Sequence, residues 1–242
     1  MRVQIGGDSV ILASHQPDFF PYLGYFYKIW KSDFFIFSDD VQFSKSGRHN
    51  YNDILTPNGP QRFTLPVSQH TVNLNEIQIA ADDRKIEEML KTLRQNYQKA
   101  PHFKEVFPLI ASLLWMAPIS ENLARFNEMC IINLCYRMDI IRGFERSSRI
   151  PVEGKRDARI IELCQFAGAD TYYSGSGAKD YHIESDYTEA GINLVYSDYC
   201  PLEYPQTFCG QTAEPEFIAP NLSVIDYLMN CGFRNPWEVE KK

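Results

Sequence analysis

Four polar clusters in the chain carry residue types that do chemistry. The first is His15-Gln16-Pro17 with Tyr22, Gly24 and Tyr25. A histidine ahead of a proline-braced loop and a glycine that opens a helix suits phosphate binding: backbone N–H groups at a helix start favour an anion, and imidazole adds a donor. A single histidine at a strand end can equally be satisfied by backbone. The second cluster is Asp39-Asp40 with Gln42, Lys45, Arg48, His49 and Asn50. Paired carboxylates suit a metal ion or sugar hydroxyls, and the two cations suit phosphates; a solvated turn has the same composition. The third is Gly154-Lys155-Arg156-Asp157 with Arg159. It sets cations at a helix start, against the dipole, a conflict that an anionic ligand would remove; side chains splayed into solvent would relieve it as well. The fourth is Ser174-Gly175-Ser176-Gly177, with Tyr172 before it and Lys179, Asp180 and Tyr181 after it. Small residues after a strand let backbone approach a ligand closely. Gly-Ser-Gly is not the G-x-S-x-G elbow and no His/Asp order stands behind Ser176, so no covalent serine is expected there.

The elements that must position these clusters follow from periodicity. Val10–Ser14 and Asp33–Ser38 are short apolar runs, read as buried strands, and the segment 24–31 between them as a helix. Strand, loop, helix, strand is a βαβ unit, which places the first loop at the carboxyl edge of a parallel sheet. Strands are expected at 62–67, 77–79, 140–144, 171–174 and 192–196. Helices are expected at 84–97, 102–115, 119–138 (capped by Ser120), 158–167 (ended by Gly168) and 222–230. Ser223 reads as a cap, and 210–220 as a polar loop. The expected fold is α/β: a mostly parallel sheet with flanking helices and an inserted helical block. By domain, 1–83 and 139–242 form the α/β core and 84–138 the helical insertion.

Composition narrows the function classes. The chain of 242 residues has a net charge of −7 and 14% aromatic residues. That charge argues against a general nucleic-acid binder but not against one phosphate-bearing ligand in a local basic pocket. Six cysteines without C-x-x-C spacing read as reduced, mostly core thiols, and the histidines lack zinc spacing. No basic, then apolar, leader opens the chain and no run of eighteen apolar residues occurs, so the expectation is a cytoplasmic protein without a membrane span.

Taken in order, His15-Gln16-Pro17, Pro21-Tyr22-Leu23-Gly24-Tyr25, Asp33, Asp39-Asp40-Val41-Gln42-Phe43, Lys45 and Asn50 resemble the opening of the WbqC-like family. The segments 159–163, 168–172, Ser174-Gly175, Tyr181 and 222–226 follow it collinearly. Where the family tends to show Asn-Arg, this chain has Asn50-Tyr51, with Arg48 as a stand-in. The resemblance implies a role in bacterial surface-polysaccharide (O-antigen) assembly, as an enzyme moving an aminoacyl group, glycyl being the suggested one, onto an amino sugar carried by a nucleotide or a lipid. Within it, His15, Asp40 and Lys45 are the expected catalytic residues. Gln16, Tyr22, Gly24, Tyr25, Asp39, Gln42, Arg48, Asn50, Lys155, Arg156, Arg159, Ser174, Ser176 and Tyr181 are expected to bind substrate. A pocket joining His15, Asp40, Lys45 and Arg159 is the corresponding geometric expectation. No metal ligand is assigned; ATP, or a nucleotide-linked sugar with Mg, is the cofactor class considered. The strand–His–helix opening is also similar in layout to HIGH-type nucleotidyltransferases and adenylating ligases, which gives a second reading: activation of a small acid by adenylyl transfer. A third is a non-catalytic binding or scaffold protein of the same machinery.

Overall fold

The computed structural model describes residues 9–69, 72–120, 122–208, 211–212 and 219–238. The leader reading at 1–8 and most of the polar loop at 210–220 fall outside them. The chain forms two compact units. The first takes in Met1–Gln16, Tyr25–Asp40 and Ile141–Cys200; the second takes in Pro17–Gly24, Val41–Ile140 and Pro201–Lys242. The expected helical block at 84–138 lies inside the second unit, together with the hairpin and the C-terminal helix.

The first unit is built on five parallel strands: β1 (Ile11–His15), β2 (Phe34–Phe37), β5 (Gly143–Arg146), β6 (Thr171–Ser174) and β7 (Asn193–Tyr196). Their order across the sheet is β5-β2-β1-β6-β7, and each neighbouring pair is parallel. This is a Rossmann/HUP-like α/β layout. The chain starts in the middle, runs outward through β2 and β5, then returns to the other side of β1 at β6. The β1–β6 boundary is therefore the topological switch point, outside whose carboxyl ends ligands of open α/β sheets bind. Strands buried on both faces must be apolar throughout, and Phe34-Phe35-Ile36-Phe37 is such a run. On one face Leu12, Ile36 and Tyr172 pack with Leu163 and Cys164 of α6 (Asp157–Ala167) and Tyr187 of α7 (Glu184–Glu189). On the other, Phe35 meets Tyr25 of α1 (Leu23–Trp30), ring centroids 5.5 Å apart.

The last outer strand runs later than its apolar pattern predicts, over 143–146 rather than 140–144. Pairing begins where the Gly143 amide donates to the Asp33 carbonyl. A side chain at 143 would sit 2.4 Å from the Phe34 ring, so a glycine is required where this strand starts. α6 stops at Gly168, in the left-handed conformation that a Cβ disfavours (φ 67°), as its position after the apolar stripe predicts.

The second unit holds the hairpin β3 (Tyr51–Thr56) and β4 (Gly59–Thr64), and the helices α2 (Asp83–Tyr97), α3 (Phe103–Trp115), α4 (Ala117–Ser120), α5 (Leu123–Arg137) and α8 (Val224–Cys231). Two residues of β8 (Thr207–Phe208) and two of β9 (Gln211–Thr212) pair antiparallel. The single helix expected at 119–138 is two helices, and Asn122, not Ser120, caps the longer one by accepting from the Arg125 amide. The stretch 77–79 makes isolated bridges through Gln78 and Ile79 instead of a strand. Ser223 caps α8, as expected, accepting from the Ile225 amide while its hydroxyl donates to the Phe20 carbonyl.

The expectation of no membrane span meets one stretch, Phe103–Ser120, that is long and apolar enough by composition to cross a bilayer (18 residues, mean hydropathy 1.3). Its Val106, Ile110, Leu113 and Leu114 are buried inside the second unit, and 28% of the stretch as a whole is buried.

Candidate active site

Polar residues close or follow each of the five parallel strands at one edge of the first unit's sheet. After β2 come Asp39 and Asp40, and after β5 come Ser147 and Ser148. The Ser148 amide and hydroxyl donate to Asp39 at 3.0 and 2.7 Å. The Ser147 hydroxyl donates to Asp40 at 2.5 Å, and the Arg159 guanidinium reaches both oxygens of the same carboxylate at 2.7 and 2.6 Å. The sequence places Arg159 against its helix dipole; Asp40 is the anion that offsets it. The acidic pair is thus tied down by this chain's own donors.

Between the ends of β2 and β6 lies His15, closing β1. Its Nδ1 is 3.1 Å from the Gln16 carbonyl, and the Tyr25 ring lies edge-on at 5.0 Å while its hydroxyl donates to the same carbonyl. Beneath it the Lys28 ammonium is buried and donates to the Ser14 carbonyl at 2.8 Å; burial brings its pKa down to about 8.

At the end of β6 a relay is assembled. Ser174 Oγ lies 2.8 Å from His182 Nε2, and His182 Nδ1 lies 2.6 Å from Asp157 Oδ1. The other Asp157 oxygen accepts the Ile183 amide at 2.9 Å, and the Tyr187 hydroxyl donates to Oδ1 at 3.0 Å. Burial pushes the Asp157 carboxyl up, but the hydrogen bonds from His182, Ile183 and Tyr187 outweigh it and hold the group below the usual carboxylate range. An ionised Asp157 accepting from Nδ1 fixes the tautomer: the proton sits on Nδ1 and Nε2 is left as the base facing the serine hydroxyl. Tyr187, itself raised by burial and by Asp157, stays a hydroxyl donor. Serine, imidazole and carboxylate stand in the order and reach that activate a hydroxyl or take a proton from an attacking amine.

His182 and Asp157 of the relay line a cavity of about 420 Å³ together with Arg156, Ile160 and Tyr181, and Ser174 lies buried behind His182. Tyr181 is 81% exposed, a flat aromatic wall of the kind that carries sugar rings. Arg156 caps α6 with φ 53°, a conformation a side chain rarely adopts, and it lies in the cavity wall. One turn back, Gly154 admits no Cβ: one would lie 2.7 Å from Glu162 Oε1 and 2.8 Å from the Arg159 nitrogen. The Glu162 carboxylate accepts the Glu153 and Gly154 amides, fixing the approach to α6.

With this geometry in view, the comparisons with known proteins bear on it. The sequence model of the WbqC-like protein family matches residues 16–236. The chain belongs to the WbqC-like protein family. It is also similar to the uncharacterized protein Rv1507c of Mycobacterium tuberculosis (strain H37Rv), 30% identical over 234 residues, 93% of this chain and 95% of that one. No solved structure matches significantly.

The residues expected to form the site distribute over both units of this WbqC-like chain. His15, Gln16, Tyr25, Asp39, Asp40, Lys155, Arg156, Arg159, Ser174, Ser176 and Tyr181 belong to the first. Tyr22, Gly24, Gln42, Lys45, Arg48 and Asn50 belong to the second. In the first unit the structure joins Asp40 to Arg159 directly, and it brings Arg156 and Tyr181 to one cavity. Ser176 is exposed on the turn, and it is Ser174, two residues earlier, that meets His182, whose other ring nitrogen meets Asp157. In the second unit Arg48 pairs with Asp53 at 2.7 Å, and the Asn50 side chain donates to the Leu65 carbonyl. Lys45 and Gln42 are exposed. Burial and the neighbouring Asp18 raise the Tyr22 hydroxyl, against the opposing effect of Arg48. His49 is buried and bonded to Asp18 at 2.8 Å. The sequence reading passed over His182 and gave Asp157 no role. The available signal was a serine at a strand end and a histidine eight residues on, across a glycine turn that brings the chain back.

Proposed function

We propose that this protein is an acyltransferase of bacterial surface-polysaccharide assembly that moves an aminoacyl group, glycyl in the simplest case, onto the amino group of a nucleotide-linked amino sugar. The observation that carries the reading is the Ser174–His182–Asp157 relay at the carboxyl edge of the parallel sheet, with His182 and Asp157 lining a cavity. An amine attacking an acyl carbonyl must shed a proton, and His182 Nε2, its tautomer set by Asp157, is a base for that proton. Tyr181 offers a face to the sugar, while the exposed Lys155 and Arg156 offer charge to the phosphates. His15 at the switch point remains the histidine suited to a phosphate. Asp40, clamped by Arg159 and Ser147, positions that edge and leaves the base role to His182.

The test is a panel of nucleotide-linked amino sugars offered with activated glycine, read as amide product by mass spectrometry. Turnover that falls at least about 100-fold in His182→Ala, with the fold intact, is the expected result. Unchanged turnover in that variant removes His182 from the chemistry. A second reading, adenylation of a small acid, draws on His15 at the carboxyl end of the central strand; consumption of ATP with release of pyrophosphate distinguishes it. The binding or scaffold reading is the one left if no substrate in either panel is converted.

A further inference from the structure

We infer that Ser174 is a covalent nucleophile, so that the acyl group passes through a serine ester on the enzyme and the donor is a thioester or activated ester. This rests on the acyl-transfer reading above and adds to it the identity of the intermediate and the chemical class of the donor.

The argument starts from what a base needs to hold. A histidine acting only on an incoming amine needs no serine against its Nε2. Here that nitrogen is 2.8 Å from the Ser174 hydroxyl, in a pair the rest of the network orients. The second ring nitrogen is fixed by a carboxylate that is itself held by a backbone amide and a tyrosine hydroxyl, so neither ring flip nor tautomer exchange is free. Ser174 is the last residue of β6 and its carbonyl accepts the Ser197 amide, so its backbone is set by the sheet. The side chain alone is spent on the histidine. Beyond it the chain turns through Gly175 and Gly177, and a Cβ built at either meets nothing within 4 Å, so open space lies beside the backbone that follows the nucleophile. Nucleophile, base and orienting acid each come from different elements (β6, the segment before α7, and α6), which is how a relay is recognised irrespective of fold.

The chemistry balances as follows. Ser174 Oγ forms a bond to the acyl carbonyl carbon and passes its proton to His182 Nε2. The carbon–sulfur or carbon–oxygen bond to the donor's leaving group breaks, and that group departs with the proton from His182. The amine of the acceptor then attacks the serine ester and gives its proton to His182, and the ester bond breaks as Ser174 Oγ takes the proton back. A serine ester can form downhill only from a donor whose leaving group is better than an alkoxide, which selects a thioester or an activated ester.

The experiment uses the whole chain and two probes, a fluorophosphonate and p-nitrophenyl acetate, read by intact-protein and peptide mass spectrometry. The expected result is one stoichiometric fluorophosphonate adduct on Ser174, absent in Ser174→Ala and formed at least about 100-fold more slowly in His182→Ala. Circular dichroism checks that each variant is folded. A folded wild-type protein that takes up no adduct, or one whose labelling survives Ser174→Ala, overturns the inference. Failure of the two proposals separates cleanly. Amide formation on an amino sugar that persists in Ser174→Ala overturns the covalent step and leaves the transfer reading standing. A labelled Ser174 with no amino sugar converted supports the nucleophile and removes the sugar acceptor.

Discussion

Asp226 offers a quantitative test of the second unit's interior. It is fully buried on α8, accepts the Tyr97 hydroxyl at 2.8 Å and the Tyr204 hydroxyl at 2.9 Å, and among the described residues no cation pairs with it. Burial pushes its pKa up to about 6, the two tyrosine bonds opposing that rise, against an ordinary value of 3.8. The proton is therefore held more tightly in the folded chain than in the unfolded one. The stability it contributes is complete below about pH 4, declines as pH rises through 6, and is gone above. At about 1.4 kcal/mol for each pH unit between the two values, ionising Asp226 in place costs about 3 kcal/mol. Asp226→Asn cannot ionise and keeps the shape. Urea denaturation of both proteins between pH 4 and 8 isolates the effect, because every other carboxyl cancels in the difference. Relative to the wild type, the asparagine variant gains about 3 kcal/mol between pH 4 and pH 7. A stability difference that stays flat over that range refutes the reasoning.

Further perturbations follow from the site. Asp157→Asn places an amide donor against His182 Nδ1, forces the other tautomer and leaves Nε2 unable to take a proton; fluorophosphonate labelling falls about 10³- to 10⁴-fold while the fold persists. Gly154→Ala drives a methyl against backbone nitrogen and the Glu162 carboxylate, lowering stability by about 1–3 kcal/mol in chemical denaturation. Arg159→Met leaves the half-buried Asp40 without its cation and costs about 1–3 kcal/mol, most of which the double variant with Asp40→Asn recovers in a double-mutant cycle.

The sheet was legible because buried parallel strands have no choice of composition: Ile11–His15, Phe34–Phe37 and Thr171–Ser174 show as short runs without a solvent side. The hairpin strand Tyr51–Thr56 was not legible. Its Asn52 and Asp53 interrupt any apolar alternation, yet Asn52 is fully buried and donates to the Phe19 and Phe20 carbonyls while its oxygen accepts Arg48. A polar residue made core by long-range bonds leaves no periodic trace. The break before Leu123 was hidden for the converse reason, since apolar spacing continues through 119–138 and only the cap at Asn122 marks the start of the longer helix. At the site, the expectation was one pocket joining His15, Asp40, Lys45 and Arg159; of these the structure pairs Asp40 with Arg159 as an ion pair. The relay was not expected, because Asp157, Ser174 and His182 lie on three segments whose convergence depends on how α6 and α7 pack on the same sheet face.

The central claim is that His182 presents an unprotonated Nε2 to Ser174, and the most direct measurement of it is two-bond ¹H–¹⁵N correlation NMR of the imidazoles at pH 7.5, with His182 assigned by substitution. The account predicts a His182 ring protonated on Nδ1, with Nε2 showing the nitrogen shift of an acceptor that moves to that of a protonated nitrogen in Asp157→Asn. A His182 ring carrying its proton on Nε2 in the wild-type protein would contradict it.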